Sequence, residues 1–190
     1  MKVSRTFSLP LAIVLLASTM TLNAQQAPKL DLAVTYIAED SLEAVSDQRF
    51  LMEGGSIQLG ANVFRGWGLA ADVTGTHSSS IGQSGIPVSV VTATFGPRYR
   101  WHAQRKLSFY AEALAGEANG FKGLYPGPSG SQPDANGLAL QIGGGADLKL
   151  NKHLAIRLLD AGWLRTQLPN AADNVQNNFR VGAGIVVRFN

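Results

Sequence analysis

The two residues whose types could most readily support catalysis are His77 and Ser79, which are separated by one residue. A histidine next to a serine can serve as base and nucleophile in acyl transfer, provided that a carboxylate orients the imidazole. No nearby Asp or Glu is clearly placed to orient His77. The spacing alone is a weak signal, and the serine-rich start of a loop explains the same residues. We therefore favour the loop interpretation and assign no catalytic residue.

Two other histidines and one glycine run could suggest ligand binding. His102 and His153 fall in short turns without a carboxylate partner, which is a poor set of metal ligands. The run 143–145 consists of three glycines inside a strand pattern, whereas a phosphate-binding loop needs a strand before it and a helix after it. We expect no metal site and no cofactor.

The most suggestive group consists of charged residues at alternating positions. Their common feature is that they fall on the polar face of successive predicted strands. They are Asp31, Asp72, Arg98, Arg100, Glu112, Asp147, Lys149, Arg157, Asp160, Arg180 and Arg188. Two interpretations stay open for this group: a gated ion path in which salt bridges exchange, or a structural plug that balances buried charge. The plug is favoured, because eight strands enclose a lumen too narrow for water.

The elements that carry these residues alternate with period two, which predicts strands rather than helices. Eight runs show the pattern: 29–38, 52–64, 67–77, 88–101, 107–119, 137–150, 154–164 and 177–189. The alternation slips at Leu158-Leu159, which predicts a β-bulge that turns Asp160 inward. Three connections are short (65–66, 102–106 and 151–153), and four are long (39–51, 78–87, 120–136 and 165–176). Short turns at one end and long loops at the other are typical of an outer-membrane barrel.

The direction of the apolar face decides between a membrane barrel and a soluble barrel with an apolar interior. From Phe179 to Phe189 the apolar face of the last run projects to about 25 Å, the height of a lipid-facing band. The opposite face combines charges with glycines, as a filled narrow lumen requires. Aromatic residues cluster at strand ends and predict two interfacial girdles. These are Tyr36, Phe64, Trp67, Tyr99, Trp101, Phe109, Trp163, Phe179 and Phe189.

The composition agrees with an exported β-protein of one domain. Residues 1–24 read as a cleavable signal peptide, with Lys2 and Arg5 before an apolar stretch and Ala24 before the cut, so that 25–190 would form the barrel. The 190 residues contain no Cys, which excludes disulfides and thiolate zinc sites. A net charge of +3, spread along the chain, does not indicate a nucleic-acid surface.

Several stretches resemble the outer-membrane β-barrel domain family related to the OmpA transmembrane domain, found in Gram-negative bacteria. They are KLDLAVTY, TATFGPRYRW, ALQIGGGADLKL, LRTQLPN and NNFRVGAGIVVRF. The resemblance implies a small eight-stranded, antiparallel, up-and-down transmembrane β-barrel in the outer membrane. Its partners would be membrane lipid or lipopolysaccharide and the barrel-assembly machinery, which reads a terminal aromatic residue; here Phe189 is followed by Asn190.

The function that follows from these expectations is a non-enzymatic one. We expect a monomeric outer-membrane barrel with a charged, side-chain-filled lumen, long extracellular loops and a structural or surface-interaction role. The first alternative is a narrow pore or a conduit for small solutes. The second is a lipid A-modifying hydrolase, because a His-x-Ser pair at the outer rim resembles the arrangement in outer-membrane lipid A deacylases.

Overall fold

The computed structural model describes residues 29–42, 49–81, 84–103, 105–127, 130–170 and 172–189. The expected signal peptide, 1–24, lies outside the described residues. All regular structure in the described ranges is strand. None of these residues forms a helix that is long and apolar enough to cross a membrane.

Ten strands make up the structure, and eight of them are long. The long strands are β1 (Lys29–Leu42), β2 (Arg49–Phe64), β3 (Trp67–Ser78), β4 (Val88–Trp101), β5 (Leu107–Phe121), β8 (Ala135–Lys149), β9 (Leu154–Thr166) and β10 (Gln176–Phe189). Two short strands, β6 (Tyr125–Gly127) and β7 (Gly130–Gln132), form a hairpin of their own between β5 and β8.

The eight long strands form a closed antiparallel barrel in which each strand pairs with its neighbour along the chain. Pairing of β1 with β10, from Leu30 opposite Phe189 to Asp40 opposite Phe179, closes the cylinder and leaves no sheet edge. The prediction of an all-β, eight-stranded, antiparallel barrel is confirmed. The strands extend further than predicted toward the long loops, so that the first loop no longer begins at Glu39 and the third shortens to 122–134.

Both the short turns and the bulge follow from local chemistry. Arg65 and Gly66 both have positive φ, which is the backbone of a two-residue hairpin turn whose twist matches its strands. In β9, Arg157 pairs with Asp147 and Gly184, and Asp160 with Gly145 and Gly182, so that β9 holds one residue more than each neighbour. The predicted bulge at Leu158-Leu159 is confirmed, and it turns Asp160 inward.

The apolar face of every barrel strand points outward. Val34, Ile57 and Phe95 each expose more than half of their side-chain surface, while the alternate residues are buried inside the barrel. A water-soluble barrel would show the reverse arrangement, since a contiguous apolar belt is not stable in water. The outward direction of the apolar face, predicted from the sequence, is confirmed.

Candidate functional site: a charged lumen below an apolar mouth

The barrel interior has two parts, and the part nearer the short turns contains the predicted charges. Most of these side chains are buried within the barrel, while Lys149 and Arg188 are half-buried toward the end with the short turns. The buried members are Asp31, Asp72, Arg98, Arg100, Glu112, Asp147, Arg157, Asp160 and Arg180. We call the whole group the lumen network. No salt bridge of Lys149 forms within the described part of the chain.

Arg98 links three strands at the centre of the lumen network. Its guanidinium donates to Asp31 at 2.9 Å, to Glu112 at 3.1 Å and to the amide oxygen of Gln58 at 2.5 Å. Gly60 makes this arrangement possible, because a Cβ there would collide with the Arg98 guanidinium and the Asp31 carboxylate. The lumen therefore needs a residue without a side chain beside its largest one.

Asp147 is the second centre of the network. It accepts from Arg100 at 2.6 Å and from Arg157 at 3.1 Å, and Arg188 lies 3.7 Å away. Arg157 also donates to Asp160 at 2.9 Å, a contact that exists because the bulge in β9 puts both residues on the inner face. A buried carboxylate shared by several guanidiniums keeps its charge compensated.

Tyr110 completes the network, although no sequence pattern singled it out. Its hydroxyl donates to Asp160 at 2.6 Å. The guanidiniums of Arg157, Arg98 and Arg100 lie 4.5, 5.2 and 5.5 Å from its ring centroid. An aromatic face attracts cations at such distances, so that Tyr110 separates three positive charges in one cross-section of the lumen.

The part of the network nearest the long loops is less tightly paired. Arg180 donates to Gln141 at 2.9 Å and to Thr74 at 3.2 Å, but its nearest carboxylates, on Asp72 and Asp160, lie at 3.6 and 3.9 Å. Beyond it lies Glu39, a buried acid that sequence analysis had placed in a loop, which accepts from Asn178 at 2.6 Å. The sequence analysis ended the first strand at Ala38, whereas β1 extends to Leu42 and therefore includes Glu39.

Above Glu39 the interior becomes apolar, which the sequence analysis did not predict. Here the inward residues of β2 and β4 are Phe50, Met52, Val88 and Val90, and the loops add Ile81 and Leu168. Together with Tyr125 these residues line a cavity of about 320 Å³, which we call the outer mouth. A signal was present: residues 50–52 and residues 90–91 are consecutive apolar residues, as expected where one face of a strand is buried and the other faces lipid.

The predicted girdle residues all lie on the outer surface. Near the short turns Trp67, Tyr99 and Trp101 form a row of edge-to-face contacts with centroid distances of 5.0 and 4.6 Å. At the opposite end the outward charges of the described strands appear, among them Asp40 and Arg49, which form an exposed ion pair at 2.6 Å. Between this row and the level of the other girdle residues, Tyr36, Trp163 and Phe179, the outward side chains in the described ranges carry no charge.

The histidines do not form the sites that their spacing could have suggested. His77 points outward, and its Nδ1 lies 3.0 Å from the Oγ of Ser89 on β4, while Ser79 lies exposed beyond the end of β3. His102 and His153 lie in separate short turns, and Gly143, Gly144 and Gly145 lie within β8. Within the described residues no group of three or more His, Cys, Asp or Glu is arranged to hold a metal ion.

No family model and no curated protein matches the sequence. The structure is similar to the crystal structure of Neisserial surface protein A (NspA), with 13% identity, a TM-score of 0.63, and coverage of 84% of this chain and 97% of that chain. It is also similar to Ail of Yersinia pestis in complex with the heparin analogue sucrose octasulfate, with 18% identity, a TM-score of 0.55, and coverage of 86% and 100%. The fold is that of the small outer-membrane β-barrels.

A third structure agrees with this assignment. OprG from Pseudomonas aeruginosa is 11% identical, with a TM-score of 0.54 and coverage of 87% of this chain and 98% of that chain. In all three the alignment spans nearly the whole of the solved chain, so the likeness concerns the complete barrel. At these identities it establishes the fold, and the function has to be argued from the side chains.

Proposed function

We propose that this protein is a non-enzymatic, monomeric barrel of the bacterial outer membrane with a structural or surface-interaction role. The uncharged outward band between the two girdles supports a position in a bilayer, and the long loops then extend outside the cell. Lipid or lipopolysaccharide would contact that band. The barrel-assembly machinery would read the outward Phe189 at the end of β10.

The observation that carries the proposal is the lumen network. Arg98, Arg100 and Arg157 share their carboxylates and the ring of Tyr110 in one cross-section of the barrel. Opening a path through this cross-section would leave buried charges without partners, which costs several kcal/mol for each ion. The network therefore acts as a plug that also holds the strands in register.

Electrical recording in planar bilayers tests the plug. The barrel, first shown to be folded by a boiling-dependent shift in gel mobility, is expected to produce no discrete conductance steps, because the salt bridges block the lumen. A matched variant, Arg49→Ala, changes only an exposed pair and is expected to be equally silent. Reproducible steps from the wild-type barrel would contradict the proposal and favour the pore.

A narrow pore is the second candidate, and the long contacts of Arg180 are the observation in its favour. Arg180 lies between Asp72 and Asp160 at nearly equal distances, and its Nε and Nη2 atoms have no hydrogen-bond partner among the described residues. A gate would require the Arg180 guanidinium to move from one of these carboxylates to the other. The conductance recording separates this candidate from the plug.

A hydrolase has the least support. His77 contacts Ser89, not Ser79, and Ser89 lies inside β4, which pairs with strands on both sides. The backbone N–H groups around Ser89 are thus part of the sheet, whereas acyl transfer needs free donors that stabilise the developing oxyanion. We therefore propose no catalytic role for this pair.

A further inference from the structure

The three short turns at one end of the barrel carry positive charge only. Arg65, Arg105, Lys106 and Lys152 lie in these turns with exposed side chains, and the turns contain no Asp or Glu. We call these four residues the basic rim. None of them forms a salt bridge within the described part of the chain. The acids of the lumen network are buried and paired with other arginines, so they do not compensate the charge of the basic rim.

The end with the long loops has a different charge. The described charged side chains that are exposed or half-exposed there are Asp40, Arg49, Glu53, Glu117, Lys122, Asp134, Arg165 and Asp173. Acids outnumber bases in this group, and Arg49 already pairs with Asp40. The electrostatic potential of the barrel therefore favours an anionic partner at the basic rim and not at the opposite end.

A groove on the outer surface lies close to the basic rim. The outward residues Ala111 and Ala113 of β5 are small, and they lie beside Tyr99 of β4 and Ile142 of β8, which are large. The aromatic row described above forms one wall of the resulting groove. Edge-to-face contacts within the row hold this wall in place, so the groove does not depend on a ligand.

The depth of the groove places it in one leaflet of a bilayer. Ala113 is six residues after Leu107, the first residue of β5, which corresponds to a depth of about 15 Å at about 3.3 Å per residue and a tilt of roughly 40°. That depth is about half of the roughly 30 Å hydrocarbon core. An acyl chain in the groove therefore belongs to a lipid whose headgroup lies at the short-turn end, where Lys106 directly precedes β5.

We propose that the basic rim and the groove together bind an anionic phospholipid of the leaflet at the short-turn end. Arg105 and Lys106 contact the headgroup phosphate, and an acyl chain occupies the groove. Arg65 adds positive charge at the level of the girdle, because its guanidinium lies 5.0 Å from the ring centroid of the outward Phe64. The site rests on the proposed outer-membrane location and adds to it a preference for one class of lipid.

Quenching of tryptophan fluorescence by brominated lipids measures this preference at the barrel surface. Of the three tryptophans, Trp67 and Trp101 lie beside the groove and Trp163 lies in the other girdle, so that Trp163→Phe leaves fluorescence only at the groove. In phosphatidylcholine vesicles this barrel is expected to bind brominated phosphatidylglycerol about fivefold more tightly than brominated phosphatidylcholine, the factor that one cation near an anionic headgroup supplies. The preference should weaken at high ionic strength, because the basic rim is exposed.

Two double variants with the same change in net charge separate the basic rim from charge in general. Arg105→Gln/Lys106→Gln is expected to bind the two lipids equally, because it removes the contacts to the phosphate. Arg49→Gln/Lys122→Gln, at the end with the long loops, is the matched control and is expected to keep the full preference. All four side chains are exposed, so that neither variant disturbs the barrel interior.

A third variant tests the groove. Ala113→Leu fills it from a lipid-facing position, and the maximal quenching by either brominated lipid is expected to fall, because the acyl chain no longer approaches the aromatic row. Unchanged maximal quenching would remove the acyl chain from the groove and overturn this part of the site.

The outcomes for the lipid preference separate this site from the proposed function. A barrel that inserts into vesicles, as shown by its boiling-dependent gel mobility, but binds both lipids equally would overturn the site alone. Equal affinity together with binding to purified peptidoglycan would assign the basic rim to the cell wall instead. A preference that persists in Arg105→Gln/Lys106→Gln would also contradict the site. A barrel that does not insert into vesicles would overturn the proposed location and the site together.

Discussion

At the scale of single residues, the same kind of ion pair has very different consequences at different depths. The Arg98–Asp31 pair is almost completely buried, with 2% and 4% of its side chains exposed, whereas the Arg49–Asp40 pair exposes 55% and 44%. Water screens the exposed Arg49–Asp40 pair and solvates both side chains when the pair breaks. The first pair has no such alternative, since its surroundings are other buried side chains.

Removing one member of the buried pair should therefore destabilise the barrel strongly. Arg98→Met leaves Asp31 and Glu112 without their shared cation, and we expect a loss of about 3–5 kcal/mol in the free energy of unfolding. Arg49→Ala should cost less than about 1 kcal/mol. Urea unfolding from lipid vesicles, followed by tryptophan fluorescence, measures both. Similar losses for the two variants would show that the lumen network is well hydrated.

At the scale of elements, the bulge in β9 changes which positions face inward: odd-numbered residues do so before it and even-numbered residues after it. Before it Arg157 faces inward, and after it Asp160, Gly162 and Leu164 do. One extra residue is enough to change the parity, because successive side chains of a strand point to opposite faces. The same rule makes the strand sensitive to the position of a deletion.

Deletion of Leu158 should be tolerated, because it removes the extra residue and leaves every other side chain on its face. Deletion of Ala161, three residues away, should prevent folding, since it would turn Leu164 toward lipid and Arg165 toward the interior. The folded fraction of each variant is read from the gel mobility of unboiled samples. Loss of folding in both variants would mean that the bulge itself is required.

At the scale of the whole molecule, the outward belt determines the environment. The barrel presents Leu69, Val73, Phe95 and their neighbours to its surroundings, and their exposure is stable only in contact with lipid chains. The girdle residues then lie at the two interfaces, and the outward charges Asp40 and Arg49 lie at the end of the long loops. Inside, a compensated charge network occupies the lower part and an apolar cavity the upper part.

This arrangement predicts a depth-dependent cost for a charge on the outer surface. Val73→Arg lies near the middle of β3 and should cost about 2–4 kcal/mol in the free energy of unfolding, whereas Leu51→Arg lies beside Asp40, near the outer end, and should cost about 0–1 kcal/mol. Unfolding in vesicles gives both values. Small and equal costs would indicate that the outer surface faces water and would contradict its assignment to lipid.

The sequence by itself determined the strands, their faces and the short turns, because each depends on neighbours along the chain. Alternation from Phe179 to Phe189 specifies one strand and its lipid-facing side, and Arg65-Gly66 specifies a tight hairpin. The slip at Leu158-Leu159 is likewise a local signal, and it located the bulge. The even number of strands makes the first and last strands antiparallel, and their pairing removes the exposed edges of the sheet.

Only the tertiary structure decided which side chains meet across the lumen. Asp31 and Arg98 lie on strands β1 and β4, and their contact depends on the curvature of the closed sheet, which alternation does not encode. Tyr110 was missed because alternation does not show which partner an inward polar residue will meet, and Glu39 was missed because the first strand was predicted to end at Ala38. The outer mouth was missed because alternation disappears where the interior becomes apolar. The half-buried Phe50 and the buried Met52 face inward on either side of the outward Leu51, so that three consecutive residues are apolar.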